Sequence, residues 1–135
     1  MQIKKGVKEL CAEYEQEIEN MPVEEALQLA DDANVRLVDI RDVRELEREG
    51  QVPGALHAPR DMLEFWAAPD SPYYKEWLAD PDKTYVLYCQ SAWRSALAAA
   101  DLIDMGGEKI AHMAGGFRAW KEAGQTVAER PKKKG

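Results

Sequence analysis

The chain has 135 residues, 45% of them hydrophobic and 32% charged, a composition typical of one soluble globular domain. Its formal net charge of −7 lacks the basic bias of nucleic-acid-binding domains, and no apolar stretch approaches the roughly 18 residues of a membrane span. The sequence therefore predicts a protein that binds neither nucleic acid nor membrane. The first residues, MQIKKGVKELCAEYEQ, lack the apolar segment of a secretory signal, so we expect the protein in the cytoplasm.

The chain contains two cysteines, Cys11 and Cys89, which are far apart in the sequence. Neither has the partner spacing of a CxxC motif or of a Cys/His zinc site, so we expect no disulfide scaffold and no metal. Cys11 lies on the apolar stripe of the first predicted helix, which favours a small, buried, hydrophobic role. Cys89 is therefore the cysteine whose position needs a chemical explanation.

Helical and extended segments alternate along the N-terminal half of the chain. Apolar residues at helical spacing, β-branched runs, and breaks at proline and glycine mark their bounds. The predicted segments, in order, are a helix over Lys4–Glu19, a short helix after Pro22, a strand over Val35–Ile40, a charged helical turn over Val43–Gly50, an extended piece over Ala55–Ala58, and a helix over Asp61–Trp66 capped by Asp61.

The same alternation continues in the C-terminal half. The predicted segments there are a strand over Tyr85–Tyr88, an alanine-rich helix over Ser95–Met105, a strand over Lys109–Met113, and a helix that begins at Gly115 and Gly116 and ends before Gly124. Strands that alternate with helices over this length predict an α/β fold with a largely parallel sheet.

The segment YVLYCQSAWRS, residues 85–95, places Cys89 at the carboxyl end of a strand and just before a helix. Ligands of open parallel sheets bind outside these strand ends, and a helix N-terminus favours an anion. A cysteine thiolate is such an anion, so the N–H groups from Gln90 to Arg94 and the cation of Arg94 predict a site for the sulfur or for a group attached to it. The alternative is a structural cysteine that ends a buried strand, with Arg94 on the surface.

Four motifs occur in order along the chain: LVDIRD at residues 37–42, EREGQVPGALHAP at 47–59, YVLYCQSAWRSALAA at 85–99 and MGGEKIAHMAGGFRAWKEAG at 105–124. With these motifs the chain resembles the single-domain rhodanese-like family of sulfurtransferases over Met21–Ala128. The resemblance implies a three-layer α/β fold, in which a mostly parallel five-stranded sheet has helices on both faces. It places the rhodanese-like domain at residues 21–128, and the residues outside it predict a helical extension at 1–20 and a flexible basic tail at 129–135.

The family implies covalent sulfur chemistry at Cys89, without a cofactor. Cys89 would take a sulfur from thiosulfate or a persulfide, hold it as a persulfide, and pass it to cyanide, to a small thiol or to an acceptor protein. The implied substrate-binding residues form the loop after it: Gln90, Ser91, Ala92, Trp93 and Arg94. We expect Asp39, Arg41 and Ser95 around this loop, with a structural ion pair or loop-ordering hydrogen bonds favoured for Asp39 and Arg41.

Two other functions stay open at this point. Cys89 could instead carry sulfur for a partner, or sense redox state, without turnover of its own. A phosphatase is the lesser alternative, because Cys-based phosphatases generally show C-x5-R, whereas Cys89 and Arg94 form C-x4-R. The shorter loop suits a sulfur atom better than a phosphate group.

Two loop positions depart from the family pattern. Ala92 stands where the family often has glycine, so the backbone of the loop needs particular attention. Trp93 stands where small or polar residues are common, and its exposure would suit a lid or a contact with an acceptor. Because the loop has a single cation, we also predict weak turnover of thiosulfate, a small dianion.

The first predicted helix lies outside the family pattern. Its apolar stripe suits packing on the domain or contact with a second copy of the chain. The sequence therefore leaves both a monomer and a homodimer open.

Overall fold

The computed structural model describes residues 1–132 and contains a five-stranded sheet in which every pairing is parallel. The strand order across the sheet is β1-β5-β4-β2-β3. The strands are β1 at Glu19–Met21, β2 at Val35–Asp39, β3 at Leu56–His57, β4 at Thr84–Tyr88 and β5 at Ile110–Met113. The central position of β4 explains its nearly uninterrupted apolar sequence, since both of its faces are covered.

Six α-helices connect and cover these strands. They are α1 at Val7–Glu15, α2 at Val23–Leu29, α3 at Val43–Glu49, α4 at Leu63–Ala67, α5 at Trp93–Asp104 and α6 at Gly116–Glu122. Short 3₁₀ helices at Arg60–Met62 and Glu76–Leu78 complete the connection between β3 and β4. No helix within residues 1–132 is long and apolar enough to cross a membrane. The parallel sheet and its helices confirm the predicted α/β fold.

Alternate residues of β4 enter separate hydrophobic clusters on the two faces of the sheet, because successive side chains of a strand point to opposite faces. Tyr85 and Leu87 belong to the cluster that includes α4 and α5. Val86 and Tyr88 belong to the cluster that includes α2 and α6. The sheet therefore lies between two helical layers, which is the three-layer arrangement that the family resemblance implied.

Some predicted bounds differ from the observed ones. The helix predicted over Lys4–Glu19 is shorter, and Glu19–Met21 instead forms the edge strand β1 beside β5. A strand of this length is too short to show an alternating pattern. Asp61 lies inside a 3₁₀ helix and caps no helix through its side chain. Helix α5 begins at Trp93, before the predicted start at Ser95.

Helix α1 packs on α5 and buries Cys11, so the predicted burial of this cysteine is confirmed. Whether the chain is a monomer or a homodimer stays a prediction. So does its division at residues 1–20, 21–128 and 129–135, although β1 crosses the first of these boundaries. The last part of the predicted tail, residues 133–135, lies outside the described residues.

The connection between β4 and α5 has an unusual backbone at Ala92. This residue has φ 144° and ψ −10°, and it is the only non-glycine residue with a positive φ within residues 1–132. The Cβ atom makes such a conformation unfavourable, and glycine avoids the penalty. The alanine that departs from the family pattern therefore holds backbone strain, of the order of 1–3 kcal/mol.

We expect Ala92→Gly to raise the free energy of unfolding by about 1 kcal/mol. The glycine relieves the strain, and its greater freedom in the unfolded chain offsets only part of the gain. Urea denaturation measures the change. The matched control is Ala100→Gly inside α5, which should lower the same free energy by about 1 kcal/mol. An equal loss of stability in both variants would contradict strain at Ala92.

Candidate active site

Cys89 directly follows β4, and its side chain is only 1% exposed. It lies at the carboxyl end of the parallel strands, where the ligands of such sheets bind. Both cysteines are free. Within residues 1–132 the Sγ atom of Cys89 has one hydrogen-bond partner, Ser95 Oγ at 3.6 Å. The sulfur is thus held at the strand end and covered by the residues that follow it.

The N-terminal turn of α6 holds the start of this loop from behind. The Phe117 N–H donates to the Cys89 carbonyl at 2.8 Å, and the Arg118 N–H donates to the Gln90 carbonyl at 3.0 Å. A Cβ atom on Gly116 would lie 2.6 Å from the Cys89 carbonyl oxygen, so this approach requires glycine. Because N–H and C=O point in opposite directions across a trans peptide, the N–H groups that follow these carbonyls point away from α6.

The backbone N–H groups of residues 91–95 have no hydrogen-bond acceptor among residues 1–132, and none donates to Cys89 Sγ. Helix α5 begins here, and the first N–H groups of any helix lack a partner within that helix. Together with the positive end of the helix dipole, they are available to an anion. The loop therefore offers donors to a group attached to the sulfur rather than to Sγ itself.

Asp39 and Arg41 form a fully buried ion pair with an N–O distance of 2.8 Å. Arg41 also donates to the Gly50 carbonyl at 2.7 Å and to Gln90 Oε1 at 3.2 Å. Its guanidinium carbon lies 4.3 Å from the ring centre of Phe117. A buried ion pair persists only when such additional partners satisfy it. The pair joins the end of β2 to the side chain of Gln90, so it orders the loop rather than reaching the sulfur.

The guanidinium of Arg94 forms two hydrogen bonds with the carboxylate of Glu45 in α3, at 2.8 and 3.0 Å. The same carboxylate accepts the Asp42 N–H in a capping box at the start of α3. The hydrogen bonds from Arg94 lower the pKa of Glu45, so this carboxylate stays charged well into the acid range. Arg94, at the end of the loop, is therefore ion-paired with Glu45, and its charge is not free to act on a ligand alone.

Trp93 begins α5 and leaves 46% of its surface exposed. Its carbonyl accepts a weak hydrogen bond from the Cys11 thiol at 3.7 Å. Burial raises the pKa of Cys11, which keeps this second cysteine protonated near neutral pH. The ring of Trp93 thus stands beside the loop while its backbone is supported by α1.

The structure adds two residues to the surroundings of Cys89 that the sequence did not indicate. His112 in β5 is buried, and its Nδ1 lies 2.9 Å from Ser95 Oγ. Its Nε2 lies 2.6 Å from Oδ1 of Asn20 in β1. A histidine within the strand predicted over Lys109–Met113 was an available signal. Asn20 had no signal, because β1 itself was not predicted.

Two further features do not bear on the chemistry at the sulfur. Within residues 1–132 no cluster of three or more His, Cys, Asp or Glu side chains could hold a metal ion. A cleft of about 410 Å³ lies at the other end of the sheet, near Tyr85 and Ile110 at the starts of β4 and β5. The length of β4 separates this cleft from Cys89.

Comparisons with known proteins identify relatives that agree with the fold and with the position of the Cys89 loop. Residues 22–123 match the family described as Rhodanese-like domain. A sulfurtransferase of Allochromatium vinosum is 32% identical over 99 residues, which cover 73% of this chain and 83% of that protein. The thiosulfate sulfurtransferase GlpE of Shewanella oneidensis is 28% identical over 104 residues, which cover 77% of this chain and 93% of that protein.

Solved structures of two other proteins resemble this chain in fold. A Rhodopseudomonas palustris protein of unknown function, described as a possible tyrosine phosphatase, has a TM-score of 0.89 at 43% identity and covers 94% of this chain and 97% of its own. The homodimeric polysulfide-sulfur transferase of Wolinella succinogenes has a TM-score of 0.70 at 28% identity, over 91% of this chain and 87% of its own. Because the family match covers most of the chain and coincides with the parallel sheet and the Cys89 loop, this chain belongs to the rhodanese-like family.

Proposed function

We propose that the protein is a sulfurtransferase that carries sulfur as a persulfide on Cys89. The sulfur comes from thiosulfate or from another persulfide, and it passes to a thiol or to cyanide. The observation that carries the proposal is the set of N–H groups of residues 91–95, which lack an acceptor within residues 1–132 and belong to the loop and helix start that follow the buried Cys89. Donors placed in this way stabilise negative charge on a second sulfur atom.

The chemistry consists of two displacements. In the first, the sulfur of Cys89 attacks the outer sulfur of thiosulfate, the S–S bond of thiosulfate breaks, and its electron pair leaves on sulfite. The thiol proton leaves with it as hydrogen sulfite. In the second, cyanide or a thiolate attacks the outer sulfur, and Sγ takes back the bonding electron pair and then a proton. Both steps balance without a further oxidant or reductant.

Phosphate chemistry is the second candidate, because the R. palustris relative is described as a possible tyrosine phosphatase. The C-x4-R spacing from Cys89 to Arg94 and the pairing of Arg94 with Glu45 at 2.8 Å both count against it. A phosphate dianion gains much of its binding from a free guanidinium, whereas the single charge of a persulfide can be stabilised by backbone N–H groups alone. We therefore favour sulfur over phosphate.

The acceptor is expected to meet the loop beside Trp93. A half-exposed indole ring suits an acceptor with an apolar surface, either a small thiol or an acceptor protein. We place the reaction in the cytoplasm, because a reducing compartment keeps Cys89 in the reduced state that the first displacement requires.

After treatment with thiosulfate, we expect the wild-type protein to gain the mass of one sulfur atom and Cys89→Ser to gain none. Intact-protein mass spectrometry measures the adduct. Cys11→Ser is the matched control and should keep the adduct, because Cys11 is buried and held as a thiol. An absent adduct on the wild-type protein, or an adduct on Cys89→Ser, would contradict the proposal.

Formation of thiocyanate from cyanide then separates an enzyme from a carrier. We expect measurable turnover with a kcat/KM for thiosulfate below ~10⁴ M⁻¹s⁻¹. A stable adduct without turnover indicates a carrier, and hydrolysis of an aryl phosphate that Cys89→Ser abolishes indicates a phosphatase.

Glu45→Gln should raise the kcat/KM for thiosulfate by about tenfold, because it frees the charge of Arg94 for the dianionic donor. Glutamine keeps the capping box at the start of α3, so the fold is retained. Steady-state kinetics measure the change. Glu24→Gln, on the exposed side of α2, alters the net charge equally and should have little effect. An unchanged or lower kcat/KM in Glu45→Gln would contradict the idea that the Arg94–Glu45 ion pair limits the use of thiosulfate.

A further inference from the structure

A continuous chain of hydrogen bonds leads from Cys89 into the protein interior. Ser95 Oγ lies 3.6 Å from Cys89 Sγ and 2.9 Å from His112 Nδ1. On the far side of the ring, His112 Nε2 lies 2.6 Å from Asn20 Oδ1. Ser95 and His112 are fully buried. The two displacements of the proposed function use neither His112 nor Asn20, so the chain needs a separate explanation.

The direction of these hydrogen bonds is fixed at Asn20. Its amide nitrogen donates to the carbonyls of Glu15 at 2.7 Å and Ile18 at 3.1 Å, so its oxygen must face His112. A carboxamide oxygen only accepts, and therefore His112 Nε2 carries a hydrogen. Burial lowers the pKa of His112 to about 4, so at neutral pH the ring is uncharged and Nδ1 is an acceptor.

The acceptor at Nδ1 decides what Ser95 offers to Cys89. A serine hydroxyl has one hydrogen, and donating it to His112 Nδ1 satisfies a buried acceptor that has no other partner among residues 1–132. The Ala92 carbonyl, at 3.1 Å from Ser95 Oγ, is the competing acceptor, and it already accepts the Ala96 N–H. Ser95 consequently presents lone pairs to Cys89, and these suit a thiol hydrogen rather than a negative charge.

We propose that His112, held by Asn20, is a positioning residue that turns the hydrogen of Ser95 away from Cys89, so that the Ser95 hydroxyl donates no hydrogen bond to a negative charge at Sγ and the N–H groups of residues 91–95 are left to stabilise the outer sulfur of the persulfide. This inference rests on the proposed sulfur transfer. In the free protein the Cys89 thiol donates to Ser95 Oγ. In the persulfide, Sγ carries no hydrogen, and the charge lies one S–S bond further out, on the side of the N–H groups of residues 91–95.

The proton balance follows from this assignment. Cys89–SH and thiosulfate give the persulfide anion and hydrogen sulfite, so the thiol proton of Cys89, which is hydrogen-bonded to Ser95 Oγ in the free protein, leaves with the sulfite. After sulfur passes to the acceptor, Sγ takes up a proton from solvent and donates again to Ser95. His112 stays neutral throughout, because its Nδ1 accepts a hydrogen bond from Ser95 and receives no proton.

Besides Ser95, the titratable groups Cys11 and Arg94 lie within electrostatic reach of Cys89. Cys11, from α1, donates to the Trp93 carbonyl and is held as a thiol by burial. Arg94 forms an ion pair with Glu45, and Arg41 is paired with Asp39. Ser95 Oγ is the one hydrogen-bond partner of Sγ within residues 1–132, and the direction of its hydroxyl hydrogen can change.

The first test reads the His112 ring in the wild-type protein. Two-bond ¹⁵N–¹H correlation spectra distinguish the three protonation states of a histidine ring. At pH 7 we expect hydrogen on Nε2 and none on Nδ1, both in the free protein and after persulfide formation with thiosulfate. Hydrogen on Nδ1 in the free protein overturns the proposal without any variant.

The second test measures the rate at which iodoacetamide alkylates Cys89 as a function of pH, followed on the Cys89 peptide by mass spectrometry. In His112→Phe the Ser95 hydrogen is free to turn to the sulfur, so the midpoint of the profile should move to lower pH by about one unit, a tenfold effect on the thiolate population. In the double variant His112→Phe, Ser95→Ala this shift should disappear, because no hydroxyl remains to donate.

These outcomes distinguish the proposal from two other roles of His112. A midpoint that moves to higher pH in His112→Phe would mean that His112 takes the thiol proton as a base, and an unmoved midpoint would mean that the chain is only structural; either result rejects the proposal. Alkylation requires no sulfur transfer, so this test stands even if thiosulfate leaves no adduct. If His112→Phe fails to fold, the ring spectra of the wild-type protein decide alone.

Discussion

Two hydrogen bonds from the first turn of α6 to the carbonyls of Cys89 and Gln90 determine how the rest of the site is built. They turn the backbone so that the following N–H groups face away from α6, and they require a glycine at position 116 because a Cβ would collide with the Cys89 carbonyl. The chain must then reverse to begin α5, and it does so through the strained backbone of Ala92. The direction of a few peptide groups thus decides which charges the site can accept.

The protein concentrates its buried polar side chains around this loop. Within residues 1–132 the buried polar or charged residues are Asp39, Arg41, Ser95 and His112. No buried side-chain nitrogen or oxygen in that part of the chain lacks a hydrogen-bond partner. Burying such groups costs free energy even when they are paired, and apolar residues of similar volume often stabilise a core better. Their positions at and just after the end of β2, in β5 and in helix α5 therefore indicate a requirement of the loop rather than of the fold.

The fold was predictable where the sequence pattern is long, and the site only where its residues are neighbours in the chain. The apolar runs of β2 and β4 and the alanine-rich α5 appear close to their predicted bounds, and they place Cys89 at a strand end. Arg94 was located by its spacing, but its partner Glu45 is 49 residues away and could only be found in three dimensions. The unusual backbone of Ala92 was signalled by the glycine that the family often has at this position. The link from His112 to Asn20 depends on β1, which was too short to be predicted.

Under the proposed function, three features together determine where in the site a negative charge is stabilised. The Ser95 hydroxyl, whose hydrogen is directed at His112, offers no donor to Sγ. Arg94 is neutralised by Glu45, so a dianion gains little from it. The N–H groups of residues 91–95 remain, and none of them reaches Sγ. A single charge displaced from Sγ by one S–S bond, roughly 2 Å, is the species that these donors suit best, and a cysteine persulfide has its charge at that distance.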